Sequence, residues 1–84
     1  MTADQAFIDI KEIAAKLLRI SFDEINKMAN PESLLKDDLG IDSVESLDLL
    51  HALESKYEIE IGDEEAARLK KVSDVIGLIL KKKN

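Results

Sequence analysis

The apolar residues of this chain recur at helical spacing, and that recurrence narrows the fold more than any other feature. Phe7, Ile10, Ile13, Ala14, Leu17 and Leu18 fall on one stripe, and Ser46, Leu49, Leu50, Leu53 and Tyr57 repeat the spacing farther along. Strand-type alternation is confined to Ile59 and Ile61, too short for a sheet with no other strand in the chain. The expected class is therefore all-α.

Helix ends can be read from capping residues. Thr2 and Gln5 have the spacing of a capping box for the first helix. A second helix should open at Asp42, whose carboxylate can take the first free amides, with Glu45 three residues on. Gly62 interrupts the chain, after which Asp63 can cap a short third helix running to Leu69. Ser73 can cap a last helix that turns Val75, Ile76, Ile79 and Leu80 inward and ends in Lys81, Lys82 and Lys83, expected as a solvated tail. The sum is a four-helix bundle with a short third helix and a long loop, Arg19 to Ile41, between the first two. A structureless loop beyond about 12–15 residues is uncommon in a compact domain. Within it "SFDEI" can form a helical turn capped by Ser21, and Leu34, Leu35, Leu39 and Ile41 can pin the rest to the core.

Length and composition bound the function. A chain of 84 residues buries only about 60–65% of its unfolded surface, so residues 1–84 are expected to form one domain. The chain has no cysteine and one histidine, His51, which leaves no disulfide framework, thiol nucleophile or His/Cys metal site. The N-terminus carries Asp4, Asp9 and Glu12 and no uninterrupted apolar run, so neither a signal peptide nor membrane insertion is expected, and the cytoplasm is the default location. A net charge of -6 argues against nucleic acid, which needs clustered Lys and Arg. From Asp42 to Glu65 the chain has nine acids against one base, Lys56. Such a stretch either steers basic partners or is an ordinary solvated face.

Ser43, in "KDDLGIDSVESLDLL", raises the sharpest question. As a nucleophile it lacks a base: His51 lies two turns along the same helix, about 12 Å away at 1.5 Å rise per residue. Calcium fails too, because placing Gly40 at the invariant glycine of an EF-hand loop puts Leu35 and Leu39 at ligand positions. At the first position of a helix, however, the hydroxyl points outward and the free amides with the dipole suit a phosphate group. Gly40 allows a tight turn into that helix, and Val44 and Leu47 offer an apolar shoulder. On local physics alone, an exposed serine with no role fits equally well.

The segments "DLGIDSVESLDLLHALESKYEIEI" and "GDEEAARLKKVSDVIGLI" strongly resemble the acyl carrier protein family, in which the serine of a D-S-L motif opening the second helix carries a 4'-phosphopantetheine arm. The resemblance implies that Ser43 is the attachment site, loaded from coenzyme A by a phosphopantetheinyl transferase. It implies partner-facing roles for Asp42, Glu45 and Asp48 toward Lys and Arg of acyl-handling enzymes, with Glu54 at the margin and Val44 and Leu47 as apolar contacts. Val44 stands where leucine is usual. His51 occupies a partner-facing position often held by methionine in fatty acid synthesis carriers, so it bears on partner choice or is simply exposed. The G-I-D-S stretch differs from the G-G-[HD]-S of peptidyl carriers. The expected protein is a monomeric carrier, no enzyme itself, that holds acyl groups as thioesters, first of all in fatty acid synthesis. A polyketide, lipid or aminoacyl carrier is the alternative, and a non-carrier acidic interaction module the alternative of another class. Ser46 and Ala66 mixed with Leu49, Leu50, Leu53, Ile61 and Leu69 suggest an interior that parts to shelter an acyl chain.

Overall fold

The computed structural model describes residues 1–83, in which five helices and no strand are formed. They are α1 (Ala3–Leu18), α2 (Phe22–Met28), α3 (Ser43–Tyr57), α4 (Asp63–Ala67) and α5 (Val72–Lys83). The all-helical bundle is as expected, with one helix more. The turn at Ser21 extends into α2, a two-turn helix, because Ser21 and Glu24 close a full capping box: the Glu24 amide donates to Ser21 Oγ at 3.1 Å and the Glu24 carboxylate accepts from the Ser21 amide at 3.5 Å.

One capping box and the bounds of two helices differ from the sequence reading. Thr2 Oγ1 takes the Gln5 amide at 3.1 Å, but the Gln5 side chain turns inward to Asp9 at 3.0 Å instead of closing the box. Helix α4 ends at Ala67 and has Gly62 as its N-cap; the Gly62 amide donates to the Glu65 carboxylate at 3.0 Å, so Glu65, not Asp63, closes that end. Helix α5 starts one residue before Ser73. The amides of Lys70 and Lys71, just before it, donate to the Asp74 carboxylate, each at 2.9 Å. Lys81–Lys83 are the last turn of α5, not a loose tail: Lys82 pairs with Glu65 at 2.9 Å and Lys83 donates to the Tyr57 carbonyl at 3.1 Å.

The core lies between α1, α3 and α5 and is closed by α2 and the loop before α3. Ile10 and Ala14 of α1, Ile25 of α2, Leu49 and Leu53 of α3, and Val75 and Ile79 of α5 are essentially without solvent exposure. Fully burying one such large side chain is worth about 1.5–3 kcal/mol. Leu35, Leu39 and Ile41 are buried too, which anchors the loop that delivers the chain to Ser43.

Backbone hydrogen bonds stitch that loop to the start of α5. The Leu35 amide donates to the Lys70 carbonyl at 2.9 Å, the Val72 amide to Ser33 at 3.0 Å and the Ser73 amide to Pro31 at 2.8 Å, around an antiparallel bridge of Leu34 with Lys71. An ion pair of Lys71 with Glu32 at 3.0 Å lies across the same seam. The loop then folds on itself, the Ile41 amide reaching the Leu35 carbonyl at 2.9 Å, and Gly40 turns at φ 72, where a Cβ is disfavoured.

Candidate functional site

Ser43 is the first residue of α3 and is exposed. Its position is fixed by a complete capping box: Asp42 accepts from the Glu45 amide at 2.8 Å, and Glu45 accepts from the Asp42 amide at 3.1 Å. The amides of Ser43 and Val44 have no acceptor among the described residues. Two open donors at the positive end of a 15-residue helix, beside an accessible hydroxyl, suit an oxyanion joined to Ser43.

A groove of about 460 Å³ adjoins the hydroxyl, walled by the N-terminal half of α3, by α4 and by the loop before α3. Helical rotation decides which residues face it. Ser43, Ser46, Leu47 and Leu50 follow i, i+3, i+4 and i+7 and line one wall, while Ala66, with Leu69 beyond the end of α4, lines another. Leu49, Leu53 and Tyr57 follow i, i+4 and i+8 on a different face, are buried, and belong to the core. Of the seven residues expected to shelter a chain, the groove thus brings together Ser46, Leu50, Ala66 and Leu69. Ile61 is half-buried outside it, its amide donating to Glu54 at 2.9 Å.

Sequence reasoning did not place Leu35, Lys36, Asp63 and Lys70 on this groove. No local signal announces them, because a bond between residues far apart in sequence, Leu35 to Lys70, brings the two segments together.

The residues expected to meet partners form a band along α3. Val44 and Leu47 are 67% and 50% exposed, unusually open for large apolar side chains. Asp48 and His51 are exposed beside them, with no side-chain hydrogen bond among the described residues. Asp42 and Glu45 hold the helix end as well as presenting charge, and Glu54 is half-buried and engaged with Ile61.

Helix α4 is the lightly held wall. None of its residues is buried, and Glu65 ties it to α5 through Lys82. The Gly62 amide first, and then Lys82, hold the Glu65 carboxyl below the usual range.

Ser43 is thus an accessible serine at a capped helix N-terminus, above a groove and beside an acidic, partly apolar helix face. Residues 9–79 match the family described as phosphopantetheine attachment site. An acyl carrier protein of Exiguobacterium sp. is 39% identical over 79 residues, covering 94% of this chain and 95% of that one. Acyl carrier proteins of Wolinella succinogenes and Campylobacter jejuni subsp. doylei are 41% and 44% identical over 73 residues, in each case 87% of this chain and 91% and 90% of theirs. A solution structure of a proposed acyl carrier protein from Anaplasma phagocytophilum superposes with a TM-score of 0.81 at 27% identity, covering 96% of this chain and 91% of that chain.

The chain belongs to the acyl carrier protein family. The family's prosthetic group is 4'-phosphopantetheine, and its members work with phosphopantetheinyl transferases and acyl-handling enzymes.

Proposed function

We propose that Ser43 carries the 4'-phosphopantetheine arm and that the chain, acting as a single monomeric domain in the cytoplasm, presents acyl groups to the enzymes of fatty acid synthesis. The observation that carries this reading is the exposed hydroxyl of Ser43 at the capped start of α3, with the Ser43 and Val44 amides open beside it. When bound, the group supplies a thiol on a flexible tether, where acyl groups are held as thioesters. The protein's own residues do the rest. Asp42 and Glu45 hold the helix end so that the hydroxyl faces a transferase, and the open amides favour negative charge at that point. Val44 and Leu47 offer an apolar contact, while Asp42, Glu45 and Asp48 draw basic surfaces toward it, with His51 at the far end of the band. The chain performs no bond-making chemistry itself.

Incubating apo-protein with coenzyme A and a broad-specificity phosphopantetheinyl transferase, then taking intact masses, tests the assignment. Wild type is expected to gain one phosphopantetheinyl group and Ser43→Ala none. A folded wild type that gains no mass overturns the reading in favour of an acidic helical interaction module.

A further inference from the structure

The lining of the groove beside Ser43 balances two lysines against two acids, Asp42 and Asp63. The lysines, in a chain of net charge -6, are Lys36 and Lys70. Both are exposed, and neither ammonium group has a hydrogen bond or ion pair among the described residues. Their neighbours are otherwise engaged: Lys71 is taken by Glu32, Asp74 by the amides of Lys70 and Lys71, and Asp42 by the Glu45 amide. Of the two acids in the lining, Asp42 holds the Glu45 amide and keeps its charge, and Asp63, on the α4 wall, has no side-chain hydrogen bond among the described residues.

Backbone geometry fixes the two lysines on one rim. The Leu35 amide donates to the Lys70 carbonyl at 2.9 Å, and the next residue, Lys36, has its own carbonyl taken by the Gly40 amide at 3.0 Å. The rim belongs to the stitched loop, the firm side of the groove, and faces the lightly held α4. Ile41, Leu47, Leu50 and Leu69 contribute the apolar surface of the cleft below the two charges.

From this we infer that Lys36 and Lys70 form an anion-holding rim for the group borne on Ser43. The inference rests on Ser43 being the attachment site and adds what the attached group must offer to the groove, an oxyanion. Two sources share that chemistry, the phosphodiester at Ser43 and a carboxylate at the end of the carried acyl group. An anion at the rim stands opposite Asp63 and is directed toward the loop wall.

The test loads the full chain at Ser43 with an arm bearing no acyl group, a pentanoyl group or a glutaryl group, in wild type and in the double variant Lys36→Gln/Lys70→Gln. Intact mass reports loading, thermal unfolding reports stabilisation, and the side-chain ammonium shifts of Lys36 and Lys70 report the contact in the unaltered protein. A carboxylate source predicts that glutaryl raises Tm above pentanoyl by roughly 1–6 °C, moves both ammonium signals, and loses the advantage in the variant and in high salt. A phosphodiester source predicts the same lysine-dependent effects already on going from unloaded to bare-arm protein, with no difference between the two acyl groups. Loading with neither ammonium shifts nor a lysine-dependent Tm change overturns the inference and leaves the carrier reading standing. Failure to load Ser43 overturns both.

Discussion

The Tyr57 hydroxyl, in the last turn of α3, donates a hydrogen bond to the Asp9 carboxylate in α1, joining two helices through a polar pair that is buried on both sides. Gln5 donates to the other Asp9 oxygen at 3.0 Å, so the carboxylate is satisfied inside the core. Replacing Tyr57 with Phe takes one donor from that buried group. It is expected to cost roughly 1–3 kcal/mol in chemical denaturation. An unchanged midpoint would assign the hydroxyl no stabilising role.

The same pair sets an alkaline limit. Burial first, and the bond to Asp9 next, raise the Tyr57 phenol above its ordinary value of 10.0. Because the folded state holds the proton more tightly than the unfolded state, this contribution is fully present below pH 10.0 and is lost as pH rises toward the folded-state value. Wild type should therefore lose stability above that pH more steeply than Tyr57→Phe, the difference reaching at most about 1.4 kcal/mol per pH unit. Parallel curves for the two proteins between pH 9 and 11 would remove Tyr57 as the cause.

Asp42 and Asp48 separate two jobs that the acidic face combines. Asp42→Ala removes the cap and should cost about 1 kcal/mol of stability, whereas Asp42→Asn keeps a capping oxygen and should cost little. The Asp48 side chain has no hydrogen bond among the described residues, so Asp48→Lys should leave Tm nearly unchanged yet slow modification by a transferase. Added salt should bring wild type toward the mutant rate. Equal rates for wild type and Asp48→Lys at low salt would take Asp48 off the docking face.

How legible the molecule was depended on how local each determinant is. The start of α3 could be read because Asp42 and Glu45 cap it within one turn. The separateness of α2 was harder to see, since seven residues give too short a record of apolar periodicity, although Ser21 and Glu24 carry the same signature. At α5 the cap runs backward, from Asp74 to Lys70 and Lys71, so a forward search settles on Ser73. The groove was half legible. Residue size marked Ser46 and Ala66 as neighbours of large leucines, but rotation of about 100° per residue separates Leu50, a core residue that also lines the groove, from Leu49, a core residue that does not. Lys36 and Lys70 were invisible because only the tertiary seam unites them.

Helix α4 should be the first part of the bundle to open. It is five residues long, buries none of them, and is tied to α5 through the Glu65–Lys82 pair. Its amides should exchange with solvent faster than those of α3 and α5 near Leu53 and Ile79, and Lys82→Ala should accelerate them further without a comparable change in α1. Because the Glu65 carboxyl is lowered in the folded state, the tie is present above its ordinary value of 4.5 and is lost as pH falls through the folded-state value. Exchange in α4 as slow as in α5, or unaffected by Lys82→Ala, would contradict a lightly held wall.

An acyl chain carried on Ser43 is expected to find shelter beside the lightly held α4. The groove meets the core at Leu50 and Leu69, with the small residues Ser46 and Ala66 between, so displacement of α4 deepens it without disturbing Leu49 or Leu53. Each buried methylene is worth about 0.8 kcal/mol, and six would supply roughly 5 kcal/mol before the cost of moving α4. Helix α4 buries no residue, although its Ala66 packs on the core, so the methylene term is expected to exceed the cost of moving it and to stabilise the folded state as a ligand does. Hexanoyl and octanoyl forms are therefore expected to melt above the bare-arm protein. Their amide shifts should cluster at Ser46, Leu50, Ala66 and Leu69, with those of Leu49 and Leu53 smaller. Substituting Ala66 with Leu, which fills the groove from its α4 wall, should reduce the gain while leaving modification at Ser43 intact. Shifts confined to the immediate surroundings of Ser43, with no change in Tm, would place the cargo in solvent and favour a carrier of polar acyl groups over one for fatty acids.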